Sequence, residues 1–225
     1  MIFEAADDPP LFIAFVVAFV TAISVHEACH ALAATLLGDP TPKGQGRLTL
    51  NPLRHLDPMG TLLLVIAGFG WGRPVLVNPL NLRFGIRRGM AIVSAAGPGS
   101  NIATAAVLGP VFHHFAGESG TNLFAGDFLP MLLALTIFIN VLLAVFNLIP
   151  IPPLDGFGVL QGLVGRDQAI QLEPLRRYGP MILLAVIFGG LFLRLNIIGA
   201  IIGPPIGILL IRIGGPEICL VVPFC

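Results

Sequence analysis

Charge is scarce in this chain: of its 225 residues only 11% are Asp, Glu, Lys or Arg, against 56% hydrophobic. Soluble domains carry about 25% charged residues, so the composition points to a membrane protein. An excess of either sign is missing too. Twelve basic residues balance twelve acidic ones, which leaves no basic footprint of the kind that binds nucleic acid. Cysteine is rare: Cys29, Cys219 and Cys225 are too few and too scattered for a disulfide framework. Cys29 lies in an apolar run, where a thiol behaves as a small hydrophobe, and a Cys219–Cys225 bridge stays open, with nothing else in the sequence to support it. The residues ahead of the first apolar run include Glu4, Asp7 and Asp8 and no Lys or Arg. That is the wrong flank for a signal peptide, so the first apolar segment is expected to be retained. No repeat or low-complexity tract is evident.

Long apolar runs are what the chain has. Residues 11–37, 90–112, 129–149, 178–195 and 197–213 each approach or exceed the roughly 20 residues that cross a bilayer. The last two are short and separated by an expected tight turn near Asn196. Residues 61–70 are apolar over only half a crossing length and run into Gly68-Phe-Gly-Trp-Gly72, which reads as a re-entrant or interfacial segment. The following Arg73-Pro-Val-Leu-Val-Asn-Pro79 is β-branched and bounded by proline, suiting an extended strand or hairpin arm. The fold class expected is therefore an all-α polytopic membrane protein of about five transmembrane helices, with a re-entrant, partly β-hairpin element between helices one and two.

Residues 38–89 hold Lys43, Arg47, Arg54, Arg73, Arg83, Arg87 and Arg88 against Asp39 and Asp57, so by the positive-inside rule this loop faces the cytoplasm. The acidic N-terminus and residues 113–127, which lack Lys and Arg, then face outward. Arg166, Arg176 and Arg177 return to the cytoplasmic side, while Arg194 falls near the expected outer end of the fourth span.

The first run contains His26-Glu27-Ala28-Cys29-His30. One helical turn separates the two histidines, so both imidazoles leave one face and can grip a single zinc ion, with Glu27 flanking that face. In a soluble helix this pattern could be ordinary surface polarity. In an apolar helix an ionised side chain costs about 2.5–3.5 kcal/mol to insert, so a Glu between two His implies partners or a wet cavity. A catalytic zinc takes three protein ligands, and Asp155, after the prolines of Asn147-Leu-Ile-Pro-Ile-Pro-Pro-Leu-Asp-Gly156, is the best candidate for the third. Taken alone, Asp155-Gly156 reads equally as a turn at a membrane edge. The side decides for the ligand: His26–His30 lie about 24–30 Å in from the outer end of their helix, at the end where the third run also finishes.

These residues resemble the site-2 protease family of intramembrane zinc metalloproteases, in its compact prokaryotic branch without PDZ or CBS domains. The resemblance covers residues 20–165. It rests on His26–His30, Asn51-Pro-Leu-Arg-His-Leu-Asp-Pro-Met-Gly60, Gly70-Trp-Gly-Arg-Pro-Val-Leu-Val-Asn78, Ala96-Gly-Pro-Gly-Ser-Asn101 and Asn147–Gly156, in that order. It implies one transmembrane metalloprotease domain over residues 1–225, with a core at 11–165 and accessory helices at 176–213, in a multi-pass cell-membrane protein. It implies that His26, His30 and Asp155 bind zinc, that Glu27 is the general base, and that Asn147 steadies substrate or oxyanion. Substrates would be transmembrane proteins or peptides, cleaved toward the cytoplasmic side. The chain begins directly with the His-bearing helix, where some family members have a preceding span.

An extended substrate could pair with the edge of Val75, Leu76 and Val77. His55, between Arg54 and Asp57, either supports the site and its substrate or orders a polar hairpin. Gly117-Glu-Ser-Gly120 resembles a rhomboid serine motif but lacks a base on a separate helix. The alternative from another class is a zinc-binding membrane protein that binds or transports without cleaving. A transporter needs coordinating residues along a through-path, and the outer halves of the spans offer almost none.

Overall fold

The computed structural model describes residues 8–67, 70–119, 128–192, 196–220 and 222. Glu4, Asp7, Gly68, Phe69, residues 120–127, Arg194 and Cys225 lie outside them, as does the side-chain environment of the 117–120 motif.

Helix α1 (Pro9–Leu36) starts where Asp8 caps it, the carboxylate accepting from the Leu11 N–H at 3.2 Å, with Pro9 and Pro10 in the first turn. Such a start satisfies an orphan donor and needs no N–H from the prolines. It ends at Gly38, whose φ of +105° suits a residue without a Cβ. Ala14, Ala18 and Ala22, four residues apart and buried to within 1%, let neighbouring helices come close. A one-turn helix α2 (Thr41–Gly44) follows, then α3 (Pro58–Ala67).

Three further long helices complete the bundle: α4 (Gly85–Ser119), α5 (Phe128–Asn147) and, after α6 (Asp155–Leu163), α7 (Arg166–Leu172) and α8 (Leu175–Phe192), the last helix α9 (Ile197–Gly214). Helices α1, α4 and α5 pack on one another, α9 lies against α5 and α4, and α6 lies against α4. Their shared core includes Phe15, Phe19, Ile23, Phe112, Ile137 and Phe138. Gly158 and Gly162 of α6 meet Ser94 and Ala91 of α4 so closely that a Cβ would strike them. Arg87 of α4 closes the same contact by donating to the Gln161 and Val164 carbonyls.

Among the described residues, four helices are long and apolar enough to cross a membrane: α1, α4, α5 and α9. Five were expected. The fourth expected span corresponds to α8, which carries Arg176 and Arg177 and leaves Tyr178, Met181 and Leu184 more than half exposed. The turn expected at Asn196 exists as a helix start, the side chain accepting from the Gly199 N–H at 3.0 Å. Its place is different: Gly109 of α4 abuts Ile213, and His113 lies 4.0 Å from Glu217. The C-terminal end of α9 thus sits at the His113 end of α4, and Asn196 lies about 25 Å away from that end.

Residues 38–84 form a closed excursion from the bundle. Fully buried Asp39 ties its two ends together, accepting from the Thr41 N–H and hydroxyl, the Asn81 amide and the Asn78 N–H at 2.6–3.1 Å. Burial alone would raise this carboxyl, but those donors outweigh it and hold Asp39 below the usual aspartate range. The half-length apolar segment is the helix α3, and the chain then doubles back so that Gly70 packs on Gly60 and Leu64. Among the described residues no strand forms, which corrects the hairpin expectation: a single bridge joins Leu56 to Gly72, and the Arg73 N–H donates to the His55 carbonyl at 2.6 Å. Pro74 has no N–H to give, and its carbonyl accepts from the Arg47 side chain at 3.2 Å, so residues 73–78 stay extended without a ladder.

Candidate metal centre

Three ligand atoms converge where α1, α4 and the start of α6 meet. His26 Nε2 and His30 Nε2 are 3.0 Å apart, and Asp155 Oδ2 is 3.1 Å from the first and 3.2 Å from the second. Both histidines are less than 8% exposed. Their outer nitrogens are committed. The Asn101 amide group donates to the Ala22 carbonyl at 3.1 Å and to Asn140 Oδ1 at 2.8 Å. Its oxygen is therefore the acceptor facing His26 Nδ1 at 2.6 Å, and that nitrogen carries the proton. His30 Nδ1 likewise donates to the Val93 carbonyl at 2.7 Å. Neutral imidazoles held this way turn two Nε2 lone pairs inward, toward a carboxylate oxygen.

Three acceptors at this spacing need a cation or shared protons between them. Metal–ligand bonds of about 2.0–2.1 Å at tetrahedral angles place ligand atoms about 3.3 Å apart, close to the separations observed. The donor set fits zinc. Glu27 adds a second sign of fit, since its Oε2 is buried beside the histidines without a hydrogen-bond partner among the described residues. Space is also kept open from α4: a Cβ on Gly97 would collide with the His30 ring and lie 2.7 Å from His26 Cε1.

Local sequence explains each position. The i, i+4 spacing places the histidines edge to face with ring centroids 4.6 Å apart. Asp155 is the first residue of α6, where the helix dipole favours a carboxylate. Gly156 makes this feasible, because a Cβ there would strike the Leu148 carbonyl. Asp155-Gly156 is thus a helix start and not a free turn.

The remaining expected residues supply no atom to this cluster, although His55 is close enough to Glu27 for their charges to interact. Asn147, at the end of α5, donates its amide to its own helix at the Leu143 carbonyl, 3.0 Å away. His55 is fully buried, donates from Nε2 to the Thr49 carbonyl at 2.7 Å and leaves Nδ1 without a partner among the described residues. Val75, Leu76 and Val77 lie on the unpaired extended segment, with Leu76 well exposed. Asn101, Asn140 and Gly97 were given no role from sequence. Their signal was present: two amides inside apolar helices have to find partners.

A family model for peptidase family M50 matches residues 101–189. A Bacillus subtilis protein named "Putative zinc metalloprotease YwhC" is 38% identical over 176 residues, 76% of this chain and 78% of that one. The chain belongs to peptidase family M50. A Mycolicibacterium smegmatis relative named "Putative zinc metalloprotease Rip2" is 31% identical over 79% of this chain and 67% of its own length. The Mycobacterium tuberculosis H37Rv protein of the same name is 29% identical over 78% and 67%. No solved structure matches the chain significantly. As an M50 chain with four apolar helices of crossing length among its described residues, this is a multi-pass membrane protein, and the matched stretch carries Asn101, Asn140 and Asp155.

Proposed function

We propose that this M50 chain is a zinc-dependent protease that hydrolyses peptide bonds in or near transmembrane segments, with His26, His30 and Asp155 as the metal ligands. The convergence of their three acceptor atoms beside Glu27, whose Oε2 has no hydrogen-bond partner among the described residues, carries the proposal. Bound zinc supplies Lewis acidity, which lowers the pKa of water and polarises a carbonyl. Glu27 accepts the proton from the attacking water and returns it to the leaving amine. Asn101 and the Val93 carbonyl fix the imidazole tautomers so that both Nε2 atoms stay available. Asn147 steadies the developing oxyanion once its amide leaves the Leu143 carbonyl. Val75, Leu76 and Val77 receive an unwound substrate along their free backbone edge, and His55 braces that segment through its carbonyl on Arg73.

We read the Arg-rich loop as cytoplasmic, which puts the centre in the cytoplasmic leaflet of the cell membrane, within reach of water. Residues 1–225 form one domain whose chemistry lies in 11–165, with α3 and its return entering the bilayer. The test is cleavage of a panel of single-span peptides by detergent-purified protein. Cleavage that disappears in Glu27→Gln and in a strong chelator supports the proposal. Cleavage that persists in metal-free protein contradicts it, and zinc binding with no cleavage of any peptide leaves a binding or transport role instead.

A further inference from the structure

The excursion between α1 and α4 holds a half-open cavity of about 630 Å³ lined by Gln45, Arg47, Arg54, Arg73, Pro74 and Leu76 among others, with no carboxylate in its wall among the described residues. Three guanidinium groups therefore face one space. Arg47 is only 6% exposed, and its side chain donates to the Arg54 and Pro74 carbonyls. Of its five N–H groups those two contacts use two, so three have no acceptor among the described residues. Arg54 and Arg73 form no ion pair among the described residues.

The excursion cannot neutralise this charge itself. It contains two carboxylates, Asp39 and Asp57. Asp39 is spent on Thr41, Asn78 and Asn81, and Asp57 caps α3, accepting from the Met59 and Gly60 N–H groups at 3.0 and 2.9 Å. Three guanidinium groups around one half-open cavity, with spare N–H donors and no carboxylate beside them among the described residues, offer an anion charge-assisted hydrogen bonds. The position narrows which anion. Pro74 and Leu76 belong to the extended segment proposed to receive substrate, and Arg47 and Glu27 interact through their charges.

We infer that this cavity binds Asp or Glu side chains flanking the cleaved segment of the substrate and so selects substrates by the charge of that flank, an inference that rests on the protease reading above. Ordinary membrane proteins place Lys and Arg on their cytoplasmic flanks, and three arginines repel those. A carboxylate entering the cavity gains charge-assisted hydrogen bonds from Arg47, Arg54 and Arg73.

The test measures binding separately from cleavage. Glu27→Gln protein in detergent is titrated with three fluorescent single-span peptides that differ only in a flank of three Asp, three Asn or three Lys. The Asp peptide is expected to bind about tenfold more tightly than the Asn peptide, with the Lys peptide weakest. Adding Arg54→Gln and Arg73→Gln should bring the Asp-to-Asn ratio close to one while a thermal melt shows the protein still folded. Equal affinities in the parent, or a ratio retained in the folded triple variant, overturn the inference. So does loss of the ratio when the same protein is moved from neutral to phosphatidylglycerol nanodiscs, which assigns the cavity to lipid headgroups. Cleavage of the Asn peptide by the unsubstituted protein reports on the protease reading alone: with no cleavage but the ratio intact, that reading fails and the charge-selective site stands.

Discussion

At the residue scale the site depends on what holds the imidazoles as much as on the ligands. Replacing Glu27 with Gln keeps the shape and removes the base, so metal content should stay near one per chain while hydrolysis falls by at least about a hundredfold. Equal turnover by that variant reassigns the base. Asn101→Leu should weaken zinc binding about 10–100-fold, read by competition with a metal indicator, because His26 Nδ1 loses its acceptor. The shared face of His26 and His30 was legible because the His-Glu-x-x-His spacing on an apolar run admits few readings. Asn101 and Asn140 were not, since an amide's role depends on which helix faces it. Asp39 looked like one of two acids in a basic loop and proves to be its buried clasp. Its folded pKa is depressed, so its stabilisation is complete above the unfolded value near 4 and is lost as pH falls through the lower folded value. Asp39→Asn should cost about 1–3 kcal/mol, as an amide donor then faces the Asn78 N–H. It should also flatten the acid limb of a melt-against-pH curve below pH about 4. An unchanged limb shows that the clasp contributes nothing.

Helix length and order were readable from apolar runs, whereas the contacts that aim the site come from small residues whose partners no local pattern names. Gly97 shows this: it sits in a motif quoted from sequence, and only the packing of α4 on α1 reveals that a methyl there enters the metal site. Gly97→Ala should therefore lower zinc occupancy in folded protein, whereas Gly99→Ala, with open space around its Cβ position, should leave it unchanged. Matching occupancies in the two variants contradict the close approach. The extended 73–78 segment was correctly read as non-helical from Pro74 and the β-branched valines. Its lack of a ladder was not readable, because the competing bond comes from Arg47, 27 residues away. Hydropathy is silent in a similar way further on: 178–195 is apolar, but no local pattern says that α9 runs back beside His113.

For the whole molecule that last contact bears on the number of crossings. Four crossings place Glu217 on the side opposite Lys43, and five place them together. Lys43 is the sole lysine, so an impermeant amine reagent followed by peptide mapping should label it from one side in intact vesicles. Lysine at position 217 in a Lys43→Arg background should label only from the other. Labelling of both from one face restores five spans and removes the parallel packing of α9 on α4. The central claim is that one zinc ion is held by residues from α1 and α6 that fold together across the bundle. Metal analysis of purified wild-type, Glu27→Gln and Asp155→Ala proteins, each beside a thermal melt, tests this directly. About one zinc per chain is expected in the first two, with occupancy lost in folded Asp155→Ala. Tightly held stoichiometric zinc in folded Asp155→Ala protein would contradict the site.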